Sequence, residues 1–187
     1  MRIGVISDTH GVPDAWRKAL RLFQGADLIV HAGDVLYHPP RLVGVPGYDL
    51  PELARLFNES AIPILIARGN CDSEVCEELL EMPVQVPYAV AQIGDTRIVA
   101  THGHLMGRDE MIRLGKKYRA SILVSGHTHA PALEKADGLV LLNPGSPSIP
   151  KYEKDGKPLG SVGLITDESI QILSVEDGAT LFELPWP

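Results

Sequence analysis

Five short apolar runs, each leading into a carboxylate, an amide or an imidazole, constrain this chain more than any other feature. They are Ile3-Gly4-Val5-Ile6 before Ser7-Asp8-Thr9-His10, Leu28-Ile29-Val30 before His31-Ala32-Gly33-Asp34, Ile64-Leu65-Ile66-Ala67 before Arg68-Gly69-Asn70, Ile98-Val99-Ala100 before Thr101-His102-Gly103-His104, and Ile122-Leu123-Val124 before Ser125-Gly126-His127-Thr128-His129. Runs of this length, bounded by turn residues, read as buried strands. Lying side by side in a parallel or mixed arrangement, they bring their ends to one edge, where α/β folds bind ligands. Asp8, His10, Asp34, Asn70, His102, His127 and His129 then face a common point. A single histidine is more often a core or surface residue than a ligand. Five such endings in one chain favour the ligand reading.

The donor set is oxygen and imidazole with no cysteine, which excludes a structural zinc finger. Seven side chains suit two divalent ions with positions left open for water and substrate. A carboxylate has two oxygens, so Asp34, near the middle of the set, can bridge both ions. Residues i and i+2 of an extended segment project to one side, which lets Asp8 and His10 hold one ion together. Two-metal sites of this kind hold the ions about 3.5–4 Å apart and activate water for an in-line displacement at phosphorus. A bridging hydroxide is the expected nucleophile.

The remaining pattern supplies helices and a second set of strands. The strands are expected over Arg2–Ser7, Asp27–His31, Ile62–Ala67, Val84–Val90, Arg97–Thr101 and Ile122–Ser125. Trp16, Ala19, Leu20 and Phe23 repeat at helical spacing after Pro13, and Gly25 ends that helix. Asp49 and Glu52 form a capping box for a second helix that buries Leu50, Leu53, Ala54 and Phe57. Ser73 caps a short helix reaching about Leu80, and Arg108–Tyr118 is a further helix with Met111, Leu114 and Tyr118 inward. Gly94-Asp95 marks a hairpin between Val84–Val90 and Arg97–Thr101. Leu139–Leu142, Val162–Thr166, Ser169–Val175 and Thr180–Leu184 read as antiparallel sheet. The expected architecture is two packed sheets with helices on the outer faces, in one domain over residues 1–187. Val35–Tyr48 lacks a period and is a candidate lid, with His38 and Arg41 able to point inward.

Composition narrows the partners. The net charge is −7 and no Lys/Arg cluster tracks phosphates, so duplex nucleic acid is not an expected partner. No apolar run approaches the ~18 residues of a membrane span. The start runs directly into a strand without a signal sequence, which makes the cytoplasm the expected compartment. Cys71 and Cys76 are then expected as unpaired, partly buried thiols. Two divalent ions against Asp8 and Asp34 leave the centre net positive, which suits an anionic substrate.

Asp8-X-His10, Gly33-Asp34, Gly69-Asn70, His102-Gly103 and Gly126-His127-Thr128-His129 match, in order, the signature of the calcineurin-like metallophosphoesterases. Gly33-Asp34-Val35-Leu36, Arg68 to Glu74, Thr101 to Leu105 and Asn143-Pro144-Gly145-Ser146 resemble the small bacterial YfcE-type phosphodiesterases over nearly the whole chain. The resemblance implies a four-layer α/β/β/α sandwich and a dinuclear centre, commonly manganese-loaded, with Zn²⁺, Ni²⁺, Fe²⁺ and Mg²⁺ as alternatives. It implies hydrolysis of a small phosphodiester and assembly as a homodimer or homotetramer. Carried over by position, one ion is held by Asp8, His10, Asp34 and His129, the other by Asp34, Asn70, His102 and His127. The turn Asn143 to Ser146 either supports the site from behind or is purely structural. His31 is read as structural.

One position departs from the wider superfamily. Many members carry a histidine directly after the asparagine and use it to protonate the leaving group; here it is Cys71. A thiol near its ordinary pKa of ~8.5 is a poorer acid–base partner at neutral pH. Leaving-group protonation is therefore weak, or is taken over by His38 or His104; the alternative reading of His104 is that it orients a metal ligand. The candidate catalytic set is Asp34, Asn70, His102, Cys71, His38 and His104. Two rival readings use the same fold: a phosphomonoesterase or nucleotidase, and a Vps29-like protein-interaction scaffold. The filled ligand set favours an enzyme, and the shortage of basic residues beyond Arg68 and Arg41 favours diesters.

Overall fold

The computed structural model describes residues 1–37 and 44–186. In chain order its first half runs β1 (Arg2–Ile6), α1 (Pro13–Leu22), β2 (Leu28–His31), α2 (Leu50–Asn58), β3 (Ile64–Ala67), α3 (Glu74–Glu77), β4 (Val84–Gln85), β5 (Ala89–Ile93) and β6 (Thr96–Ala100). The second half runs α4 (Arg108–Tyr118), β7 (Ile122–Val124), β8 (Ala132–Ala136), β9 (Leu139–Asn143), β10 (Glu153–Lys154), β11 (Lys157–Pro158), β12 (Ser161–Thr166), β13 (Ser169–Ser174) and β14 (Thr180–Pro185).

The five ligand-bearing strands do not lie in one sheet. A seven-stranded sheet has the order β14-β13-β12-β1-β2-β3-β4, and a five-stranded sheet has the order β5-β6-β7-β9-β8. Three of the strands belong to the first and two to the second. Within each sheet they are parallel and in register, with Ile6 opposite His31, His31 opposite Ile66, and Ala100 opposite Val124. Their carboxyl ends therefore stop at the same level on both sheets.

Packing follows the two-residue alternation of the strands. Val5, Val30, Ile98, Ile122, Val124 and Leu142 point between the sheets and form the central core. Ile29, Ile66 and Leu164 face the other way and pack on Trp16, Phe23, Leu53 and Phe57 of the α1–α2 side. Val99, Leu123 and Leu141 pack on Leu114 and Met111 of α4. The result is the expected four layers, helix, sheet, sheet, helix.

Several local expectations change. Val84–Val90 is not one strand: Val84–Gln85 pairs with β3 in the large sheet, and Ala89–Ile93 forms the β5–β6 hairpin in the small one. Pro87 lies between, where a ladder donor is lost. The second half is not wholly antiparallel, because β9 runs parallel to β7. Only half of the capping box forms. Asp49 accepts from the Glu52 amide, but its own N–H donates to the Gly11 carbonyl and the Glu52 carboxylate pairs with Arg55. Cys71 and Cys76 are free and half-buried. Among the described residues no helix is long and apolar enough to cross a membrane. His38 and Arg41 lie outside the described residues.

Candidate metal centre

The loop after β1 is laced to the loop after β2. Asp8 N–H donates to the Gly33 carbonyl (2.9 Å), His10 N–H to the Asp34 carbonyl (3.0 Å) and Gly11 N–H to the Val35 carbonyl (3.0 Å). Gly33 is needed at its position: its φ is +94°, and a Cβ there would lie 2.5 Å from the Gly69 nitrogen of the neighbouring loop.

Asp8 and His10 do not converge through extended geometry. Asp8, His10, Asp34, His127 and His129 all have positive φ, between 46° and 69°. The left-handed turn, costly for a residue with a Cβ, aims each side chain inward, and such strain gathers at functional sites.

Three histidines are locked the same way. Nδ1–H of His10 donates to the Tyr37 carbonyl (2.8 Å), that of His102 to the Ala32 carbonyl (2.8 Å), and that of His129 to the Ile149 carbonyl (2.7 Å). A carbonyl can only accept, so each ring presents Nε2 to the interior, the arrangement seen for metal-binding histidine. Nε2 of His10 and of His129 face each other at 3.1 Å. Asp8 Oδ1 lies 3.6 and 3.3 Å from them and is buried with no hydrogen-bond partner. Three electron-pair donors converge there with nothing positive between them. A cation fits that chemistry.

Asp34 stands between this group and the next. Its Oδ1 accepts from the Cys71 amide at 2.7 Å. Its Oδ2 lies 3.7 Å from His10 Nε2 and 3.3 Å from His102 Nε2. Oδ2 is thus the oxygen that lies toward both rings. His102 Nε2 is also 3.0 Å from Asn70 Oδ1. His127 is exposed, with its ring 5.2 Å from His102 and 6.0 Å from His104. His104 is exposed too, 5.5 Å from His102.

The electrostatics follow from this crowding. Burial opposes the Asp8 charge, but His10, His129 and His102 overcome it and hold the carboxyl well below the usual range. Asp34 is likewise lowered against burial, chiefly by His102. Burial pulls His10 and His102 down, yet Asp8 and Asp34 bring both to a net upward shift. Burial, then the nearby Asp34 carboxylate, push the Cys71 thiol up to about 12. It holds its proton at neutral pH and releases it poorly.

Of the groups behind the ligands, the motif reading named His31 and the Asn143–Ser146 turn but missed Asp72, Thr9 and Ser148. Asp72 is buried, and its carboxylate accepts from the amides of Asp34, Gly69 and Val35, each at 2.8 Å. It ties the β2 and β3 loops together. His31 accepts the Gly33 N–H at Nδ1, so Nε2 carries the proton and donates to Thr9 Oγ1 (3.1 Å), whose hydroxyl donates to the Val35 carbonyl (2.8 Å). Full burial pulls its pKa down to about 3 and keeps it neutral. A sixth strand end contributes as well. After β9, Asn143 Nδ2 donates to the Gly126 carbonyl (2.8 Å), while the Ser146 and Ser148 hydroxyls donate to the Asp8 carbonyl (2.8 and 2.7 Å). The Asn143–Ser146 turn thus braces the site. Its only sequence signal was a polar turn closing an apolar run.

The family model of the calcineurin-like phosphoesterase superfamily domain matches residues 1–167. The chain belongs to the calcineurin-like phosphoesterase superfamily. Escherichia coli (strain K12) phosphodiesterase YfcE is 36% identical over 186 residues, covering 98% of this chain and 97% of that protein. The solved structure of E. coli Yfce, a phosphoesterase, superposes with a TM-score of 0.85 at 33% identity over the full length of both chains. Entamoeba histolytica Vps29 complexed with Zn²⁺ matches with a TM-score of 0.65 at 22% identity, again over both full lengths, and shares the fold. In this phosphoesterase the fold brings five of the seven candidate ligands, Asp8, His10, Asp34, His102 and His129, into mutual reach. Asn70 and His127 flank them on the exposed side.

Proposed function

We propose that this phosphoesterase is a metal-dependent hydrolase of a small phosphodiester, working at a centre for two divalent cations, manganese first among them. The observation that carries the reading is the buried convergence of His10 Nε2, His129 Nε2 and the unbonded Asp8 Oδ1. Asp8, His10, His129 and Asp34 Oδ2 would hold one cation; Asp34 Oδ2, Asn70, His102 and His127 the other. When bound, the cations supply an activated water and offset charge on the phosphoryl oxygens.

The chain's own residues do the rest. The three Nδ1–H bonds to carbonyls fix ring orientation and leave no reorganisation at the moment of reaction. Asp72 holds the Asp34 backbone. Asn70 and His127, both exposed, line the side from which an ester can enter. His104 is exposed on that side and is our candidate for the group beside a leaving oxygen. Burial and then His102 lower its pKa, so at neutral pH it would act there as a neutral imidazole, while the Cys71 thiol is not suited to the role. Arg68 is half-buried and paired with Glu77 at 2.7 Å, so its charge is largely offset. A monoester, with its extra negative charge, gains little there, which favours the diester. The reading carries with it a single-domain, cytoplasmic homodimer or homotetramer.

The test is metal-stripped protein assayed on an aryl phosphodiester and its monoester, with Mn²⁺, Mg²⁺, Zn²⁺ and Ni²⁺ added back singly, beside Asp34→Asn. Diester cleavage that depends on metal and vanishes in Asp34→Asn is expected. Metal binding without turnover of either ester would overturn the enzyme reading and favour a scaffold.

A further inference from the structure

A pocket of about 310 Å³ opens beside the candidate centre, sharing His102 as a wall. Its other walls include Val86, Pro87, Tyr88, Leu105 and Met106, with Arg68 and His104 among the polar residues at its rim. We infer that this pocket is a subsite for one flat, uncharged ester group of the substrate, an aryl or similar single-ring alcohol, whose phosphorus sits at the metal centre. The inference rests on the phosphodiesterase reading and deepens it.

Four observations support the assignment. First, the pocket is continuous with the centre through His102 and the adjoining Gly69 backbone, so a group held in it stays bonded to a phosphoryl group held by the ligands. Second, its walls are apolar at an exposed place. Val86 is 60% and Leu105 81% exposed, although both are large aliphatic side chains beside a polar centre. An exposed apolar surface rimmed by polar residues marks a binding groove. Third, the walls are braced. The Tyr88 ring packs edge-on against Tyr118 with centroids 5.8 Å apart. Fourth, Arg68 is already paired with Glu77, so no uncompensated charge awaits a second phosphate. The volume lies at the low end of the roughly 300–1,000 Å³ of small-molecule sites, which suits one ring and excludes a bulky second nucleotide.

The experiment measures binding apart from turnover. Manganese-loaded protein is titrated calorimetrically with diphenyl phosphate and with dimethyl phosphate, for the wild type, Val86→Asn and Leu105→Asn. Both altered side chains are exposed and outside the ligand set, so the fold and metal uptake stay intact. Diphenyl phosphate is expected to bind about tenfold or more tightly than dimethyl phosphate, from the extra apolar surface removed from water. Either substitution is expected to remove most of that preference, leaving dimethyl phosphate affinity unchanged. Equal affinity of the two esters in the wild type would overturn the subsite. So would a preference untouched in both variants, or variants that change only the sedimentation behaviour, which would assign these side chains to a contact between subunits. Loss of the subsite with metal-dependent cleavage retained would leave the phosphodiesterase reading standing. A ring preference without any turnover would do the opposite.

Discussion

The two sides of the candidate centre are built differently. His10 and His129 lie at its base, 0% and 6% exposed, each with Nδ1–H committed to a backbone carbonyl. Asn70 and His127 stand at the mouth, both exposed. The base has a second layer behind it: Ser146 and Ser148 on the Asp8 carbonyl, and the His31–Thr9 chain under the β1 loop. At the mouth, Asn70 contacts His102 and the Cys71 sulfur (3.2 Å) and little else. Preorganised donors bind without first being ordered. The base is therefore built to retain a cation, and the mouth to exchange ligands around one.

The sharpest way to break this comparison is through pH. Folded His31 titrates near 3 and its unfolded counterpart near the ordinary 6.5. Between those values the unfolded chain binds one more proton, so stability falls as pH falls, by about 1.4 kcal/mol per pH unit and roughly 5 kcal/mol in all. The upward-shifted His10 and His102 do not add to this slope, whereas the lowered His104, His127, Asp8 and Asp34 add to it with the same sign. Urea titrations of metal-free protein between about pH 6 and 4 should show the slope, and His31→Gln should make it shallower by up to about 1.4 kcal/mol per pH unit. Parallel curves for the two proteins would mean that His31 is not held neutral by the base.

Metal titrations come next in size. His129→Ala should weaken the tighter of two Mn²⁺ binding steps by more than about 100-fold, beyond what loss of an outer partner costs. His127→Ala should weaken only the looser step, by about tenfold. Equal losses in the two variants would erase the distinction between base and mouth. A smaller effect sharpens it. Thr9→Val leaves His31 Nε2–H unpaired and removes the bond to the Val35 carbonyl. It should cost about 1–3 kcal/mol of stability with the looser binding step unchanged, measured by denaturation and the same titration.

The parts of this site that were legible beforehand are those with a local signal. Apolar runs of three or four residues named the strands, and the polar residues that follow them named the donors. Which sheet a strand joins is not local. Ile98–Ala100 and Ile64–Ala67 read alike, yet the pairing that puts them in separate sheets depends on partners far along the chain. β8, Ala132–Ala136, escaped notice because an edge strand with Glu134 and Lys135 in it has no apolar alternation to show. Left-handed backbone at Asp8, His10, Asp34, His127 and His129 is also invisible in sequence, since glycine is the residue that signals it. Asp72 was in plain view, but a carboxylate facing three amides and one facing a cation look the same as a letter.

The Asp8 carbonyl is clasped by hydroxyls 138 and 140 positions later in the chain. The base of the centre is therefore among the last things a growing polypeptide can finish. In the order of the chain Asp8, His10 and Asp34 come early and can be laced together, but the His129 ring and the two hydroxyls follow only after more than two thirds of the protein. On the proposed metal reading, an ion met before that point would find the site without His129 and without the clasp on Asp8. On that reading, choice of metal would be deferred until the β1 and β9 loops meet, and the supply of ions around the completed protein, rather than around the ribosome, would decide what it carries.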